Sequence, residues 1–171
     1  MHFHALRIAL FALAVATTQV WAQTGPSVTQ IGTETLSVAE PYFKAYIARD
    51  WDRLELLLAG NGGFADPTAT LVFGPVKHEG KAATLKNFRE NYATISHMEF
   101  HRTRTLVFGE HAIYEGTLDW TLQLKGGKTA VTRGMPFITI LRVVEGRVLE
   151  HRDFADYTPF LAAMRASQTG G

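Results

Sequence analysis

One pair of titratable residues has a spacing that suits chemistry. His151 and Asp153 stand two apart in Arg147 to Phe154, a run that reads as a strand after the turn Glu145-Gly146. Alternation puts both side chains on one face, about 6–7 Å apart, with Leu149 on the same face. If that face looks into an apolar hollow, desolvation raises the carboxyl's pKa. Such a carboxylate suits a general base that removes a proton next to a carbonyl. His151 would return the proton or hold the developing oxyanion, and Tyr42, Tyr46 or Tyr92 would donate to that oxygen from helices. The same spacing also suits a quieter role, an Asp–His or Asp–Arg pair that fixes a sheet surface.

Other candidates point away from chemistry. Asp66 precedes Pro67 and reads as an Asx-turn residue. Asp156 reads as a cap for the C-terminal segment. Trp51, Trp120 and Phe137 read as core, with Trp120 also a candidate wall for a bound ligand. His78, His97, His101 and His111 lack zinc spacing: on a strand, His97 and His101 would lie about 13 Å apart. With no cysteine and no Gly-x-Ser-x-Gly, covalent acyl transfer has no nucleophile. Gly60-Asn61-Gly62-Gly63 follows a helix and lacks the spacing of a phosphate loop, so it reads as a turn. No metal and no cofactor is expected.

The elements that must position these residues follow from periodicity. Leu36, Ala39, Phe43 and Tyr46/Ile47 recur at helical spacing from Ser37, with Pro41 tolerable only in a first turn. Asp50 suits the N-cap of a second helix, Trp51 to Ala59. Phe64 to Pro67 and Thr70 to Phe73 read as short extended pieces. Gly80 opens a third helix with Leu85, Phe88, Tyr92 and Ile95 in one stripe. From Ser96 the period changes to two. Long strands follow over Ala112 to Lys125 and Thr129 to Val143, joined at Gly126-Gly127, before the last strand and a short helix from Thr158 to Arg165. Such long strands must bend, and Gly116 and Gly134 are natural places for a bulge. The order is α+β: a strongly curved, antiparallel or mixed sheet wrapped round N-terminal helices and enclosing a conical cavity.

The first residues read differently. His2, His4 and Arg7 precede the apolar run Ile8 to Ala16, and Val20-Trp21-Ala22 resembles a signal-peptidase site. Thr17, Thr18 and Gln19 interrupt the run too early for a membrane span. We expect a signal peptide over 1–22, cleavage after Ala22 and export to the periplasm or beyond. A flexible segment over 23–36, a domain over 37–166 and a disordered tail over 167–171 complete the division. Removing 1–22 takes Arg7 alone from the charge count, leaving 16 Lys+Arg against 16 Asp+Glu. A neutral domain has no general attraction for nucleic acid or anionic lipid.

The segment Glu150-His151-Arg152-Asp153-Phe154-Ala155-Asp156, directly after Glu145-Gly146-Arg147-Val148, resembles the closing strand of the SnoaL-like family, within the nuclear transport factor two-like superfamily. Tyr42-Phe43 through Asp50-Trp51 and Phe64-Ala65-Asp66-Pro67 agree with it, so the resemblance spans Ser37 to Tyr157. It implies a cone-shaped, cystatin-like α+β fold. The superfamily holds polyketide cyclases, ketosteroid isomerase, limonene epoxide hydrolase, scytalone dehydratase and members without known catalysis, and fold alone does not choose among them. In the epoxide hydrolase, an aspartate at the place of Asp153 is catalytic and pairs with an Arg-x-Asp on an earlier strand. Thr117 and Asp119 stand at those places here, so the aspartate is present and the arginine is not. Resemblance to the cyclases is closer around His151 and Asp153.

By alternation Asp119 shares a face with Thr117 and Thr121, while Leu118, Trp120 and Leu122 take the other. If Asp119 faced Asp153, like-charge repulsion would leave one of the two protonated, giving an acid and a base from one pair. Two readings stand. One is a cofactor-free isomerase, cyclase or dehydratase for a small hydrophobic carbonyl compound, with Asp153, His151 and Asp119 catalytic and Tyr42, Tyr46, Tyr92 and Trp120 around the substrate. The other is a non-catalytic ligand-binding or dimerisation module. Homodimerisation through the outer sheet face is compatible with either.

Overall fold

In the computed structural model, which describes residues 27–169, the first helix starts well before the expected Ser37. α1 runs over Val28–Ala48, with the Ser27 hydroxyl accepting from the Gln30 N–H at 3.1 Å. Residues 28–36 are therefore helical and not a loose leader. The signal segment expected over 1–22 lies outside the described residues. Pro41 sits in the helix interior, where its missing N–H leaves the Ser37 carbonyl without its helical partner. Packing outweighs that cost. Ala39, Tyr42, Phe43 and Tyr46 recur at three- and four-residue steps and are almost fully buried against the sheet. α1 ends at Arg49 in the left-handed conformation (φ 58°), and the Arg49 guanidinium donates to the Ile95 carbonyl.

Asp50 caps α2 (Trp51–Leu57), accepting from the Arg53 N–H. The glycine-rich stretch after it is not a turn. It forms β1 (Leu58–Asp66), which pairs in parallel with the last strand across a register shift between Leu58 and Gly63. The backbones come so close that a methyl at Gly62 would lie 2.9 Å from the Val148 carbonyl oxygen. A short 3-10 turn (Pro67–Ala69) and α3 (Thr70–Phe73) follow, so Thr70 to Phe73 is helical and not extended. Asp66 caps this stretch and supplies the local start signal.

β2 (Val76–His78), α4 (Lys81–Asn91), β3 (Ile95–Phe108), β4 (His111–Gln123), β5 (Thr129–Val144) and β6 (Arg147–Ala155) lead to α5 (Thr158–Thr169). The sheet order is β2-β1-β6-β5-β4-β3; every neighbouring pair is antiparallel except β1 with β6. This is an α+β fold with a six-stranded mixed sheet. α1 lies across β3, β4, β5 and β6. The long strands bend at the two glycines singled out above. Gly116 sits opposite a register shift in β3 between Arg102 and Arg104, and Gly134 (φ 62°) with Arg133 forms a bulge of β5 that faces Asp119 alone, between Leu118 and Trp120 of β4. α5 continues to Thr169, past the tail expected from 167, because no helix breaker stands before Gly170. Asp156 caps its start, accepting from the Thr158 N–H at 2.9 Å.

Candidate functional site

Four residues on a helix advance about 6 Å and two on a strand about 6.6 Å. Tyr42 and Tyr46 on α1 therefore match His151 and Asp153 on β6 rung for rung. The Tyr42 hydroxyl meets His151 Nδ1 at 3.2 Å, and the Tyr46 hydroxyl donates to Asp153 Oδ2 at 2.6 Å. Asp153 Oδ1 is 2.9 Å from His151 Nε2 and accepts from the Thr139 hydroxyl at 2.7 Å. His151 and Asp153 are each 1% exposed. If the carboxyl is ionised, the network fixes the imidazole: Nε2–H donates to Asp153, and Nδ1 accepts from Tyr42.

The face is dry and aromatic. Tyr46 and Tyr42 meet the imidazole edge-on, with centroids 4.5 and 5.5 Å away, and Phe64 and Phe88 complete the box at 4.9 and 5.9 Å. Leu149 does not share the inner face with them. β6 shifts register against β5 where Arg142 pairs with Glu150 and Val143 with Val148, so Leu149 is the bulged residue and Val148 turns inward, fully buried.

Beside this cluster lies a cavity of about 410 Å³ walled by Phe64, Phe73, Tyr92, Trp120 and Tyr157, with Asp66, His78, Asn87 and Asn91 as polar members. Asp153 is not in that wall. Tyr92 is, and its hydroxyl lies 2.8 Å from that of Tyr46. Burial pushes the Tyr42, Tyr46 and Tyr92 phenols far above their ordinary pKa, and the Asp153 carboxylate adds to the shift. All three therefore stay protonated and serve as hydrogen-bonding hydroxyls. A larger depression of about 640 Å³ opens to solvent between β1, β2 and β6. Its charged rim is already paired, Lys77 with Glu79 and Arg152 with Glu150, which makes it the weaker ligand site.

The sequence profile of the SnoaL-like domain matches residues 39–151. The chain belongs to this family. No curated protein matches its sequence. Among solved structures, a protein of Shewanella denitrificans OS-217 assigned as a SnoaL-like polyketide cyclase superposes with TM-score 0.68 at 19% identity, over 77% of this chain and 97% of its own. A Kribbella flavida protein assigned as a ketosteroid isomerase gives 0.54 at 23%, over 73% and 79%. An M. tuberculosis LEH-like epoxide hydrolase gives 0.61 at 17%, over 80% and 93%. Identities this low establish the shared cone-shaped fold.

In this SnoaL-like domain the other expected residues separate. Trp120 lines the cavity with Tyr92, while Tyr42 is fully buried and does not line it. Asp119 takes the opposite sheet face, as the alternation of Leu118, Trp120 and Leu122 requires, so it does not pair with Asp153. It accepts from the Gly134 N–H at 2.7 Å and lies 3.4 Å from Arg133 and 3.5 Å from His101. Partial burial opposes its charge, but the Gly134 N–H, His101 and Arg133 outweigh that and hold the carboxyl below its ordinary pKa. Asp119 stabilises the β5 bulge.

The carboxylate in the cavity wall is Asp66, a residue expected from the sequence to serve a turn. It has both duties. Oδ1 accepts from the Thr68 and Ala69 N–H groups and the Thr68 hydroxyl, while Oδ2 accepts from the Tyr157 hydroxyl at the cavity wall. Asp66 is 4% exposed, too buried for a turn carboxylate with no further role. Among the described residues, no group of three His, Asp or Glu side chains is placed to hold a metal ion.

Proposed function

We propose that this SnoaL-like domain is a cofactor-free proton-transfer enzyme, an isomerase, cyclase or dehydratase for a small, mainly apolar carbonyl compound bound in the aromatic cavity. The observation that carries this reading is the buried Asp153 carboxylate. It is held by His151, Thr139 and Tyr46 and linked through Tyr92 to a cavity without lysine or arginine. A carboxylate in such surroundings can accept a proton from an acidified carbon, and neutral hydroxyls nearby can stabilise the enolate oxygen.

The test needs no natural substrate. β-Tetralone carries acidic protons between a ring and a carbonyl and is small enough for the cavity. Its deuterium uptake in deuterium oxide, followed by proton NMR, is expected to accelerate with the protein. Asp153→Asn, which keeps shape and removes basicity, is expected to lower that acceleration by about 100-fold or more. Undiminished exchange in the folded variant would overturn the reading.

A specific observation favours a second reading, passive ligand binding: both Asp153 oxygens are already occupied and neither reaches the cavity wall. Native mass spectrometry showing a co-purified ligand, with no exchange activity, would support it. Export belongs to the same proposal. It predicts that protein recovered from the producing cell begins at Gln23. A homodimer is proposed as well, through the outer sheet face, where Leu106 and Val131 are 46% exposed. Light scattering on the purified protein tests it.

A further inference from the structure

The hydroxyls of Tyr46 and Tyr92 stand between the buried carboxylate and the cavity. Tyr46 has one proton, and it is directed to Asp153 Oδ2 at 2.6 Å. The 2.8 Å contact between the Tyr46 and Tyr92 hydroxyls must then be made with the Tyr92 proton. That orientation leaves lone pairs of the Tyr92 oxygen for the cavity that Tyr92 lines. A tyrosine expected to donate to a ligand is, with Asp153 ionised, an acceptor.

We infer that Tyr92 is the atom at which the cavity's occupant exchanges protons with the protein, and that Tyr46 relays them to and from Asp153. This rests on the proton-transfer reading above and names the path. When a carbon–hydrogen bond of the ligand breaks, its electron pair stays on the ligand as an enolate and its proton passes to the Tyr92 oxygen. The Tyr92 proton moves to Tyr46 and the Tyr46 proton to Asp153 Oδ2, so one negative charge leaves the carboxylate and one appears on the ligand. All hydroxyls have then reversed, and Tyr92 donates into the cavity toward the new anion. The return passage delivers a proton to a different atom of the ligand, completing an isomerisation. The phenols are suited to passing a proton without holding charge, because burial and the nearby carboxylate keep both from ionising. His151 and Thr139 hold the other carboxylate oxygen, which leaves Oδ2 as the end of the relay.

The relay differs from direct action by Asp66, whose carboxylate reaches the same cavity. Tyr46→Phe separates them, since the ring and its packing remain while the link is cut. For β-tetralone exchange, Tyr46→Phe and Tyr92→Phe are each expected to lower turnover by about 100-fold with KM unchanged, a loss that direct base action by Asp66 would not produce in Tyr46→Phe. Wild-type exchange in Tyr46→Phe, with loss in Asp66→Asn, would overturn the relay and leave the proton-transfer reading standing. If the wild-type protein does not accelerate exchange at all, the proton-transfer reading falls, and the hydrogen-bonded chain is judged without ligand. A far-downfield NMR resonance from the Tyr46 hydroxyl proton is expected to shift in Tyr92→Phe; an unmoved resonance would show the two hydroxyls to be uncoupled and overturn the relay.

Discussion

Asp153 and Asp119 are both strand aspartates, each two residues from a polar neighbour, yet the two faces of the sheet give them opposite employment. On the inner face, Asp153 is closed off by two rungs of α1 and accepts only from His151 and two hydroxyls, each of which can exchange a proton. On the outer face, Asp119 accepts from the Gly134 backbone and sits beside the His101 and Arg133 side chains. A backbone amide holds a carboxylate in its charged form and cannot pass a proton. The difference lies in the kind of donor and in access to water.

Truncation should break the two faces unequally. Asp153→Ala leaves His151, Thr139 and Tyr46 without their acceptor in a dry site, and is expected to cost about 3 kcal/mol of unfolding free energy in urea titrations. A loss no larger than that of an ordinary surface substitution would show that the inner network holds little together. Alkali should act next. All five tyrosines carry phenols pushed above their ordinary pKa, by burial first in each case. Their stabilising contribution is complete below the unfolded value near pH 10 and is lost as pH rises toward the folded values. Stability is then expected to fall by about 1.4 kcal/mol per pH unit for each tyrosine that ionises only on unfolding. Tyrosinate absorbance should appear together with the loss of circular dichroism; tyrosinate formed in protein that keeps its fold would contradict this. The smallest effect belongs to the outer face. Asp119→Ala removes the acceptor for one bulge amide and is expected to cost about 1 kcal/mol, with β-tetralone exchange unchanged.

How much of this the sequence disclosed depends on what each residue must satisfy. Strand period two put His151 with Asp153 and turned Asp119 away from Trp120, because the alternation is a property of the backbone itself. It misplaced Leu149, since a bulge shifts the alternation by one and leaves no signature in Val148-Leu149-Glu150. The start of α1 was obscured by Gly32 and Pro41, local helix breakers that packing overrides. Gly60 to Gly63 read as a turn because the parallel approach of β6 that calls for small residues is a long-range contact. Asp66 was half legible: the Asp-Pro signal fits the oxygen that caps Pro67–Ala69, and nothing local announces the oxygen that meets Tyr157. One signal went unused. Tyr42 and Tyr46, four apart on a helix, match two residues apart on a strand, and that equality of rise could have joined the pairs in advance.

The proposal that the inner carboxylate serves the cavity is tested most directly by paired rates. β-Tetralone exchange should be measured side by side for Asp153→Asn and Asp119→Asn proteins of confirmed fold. The prediction is a rate about 100-fold below wild type for the first and a wild-type rate for the second. Equal rates in the two variants would contradict it, leaving both aspartates as scaffolding.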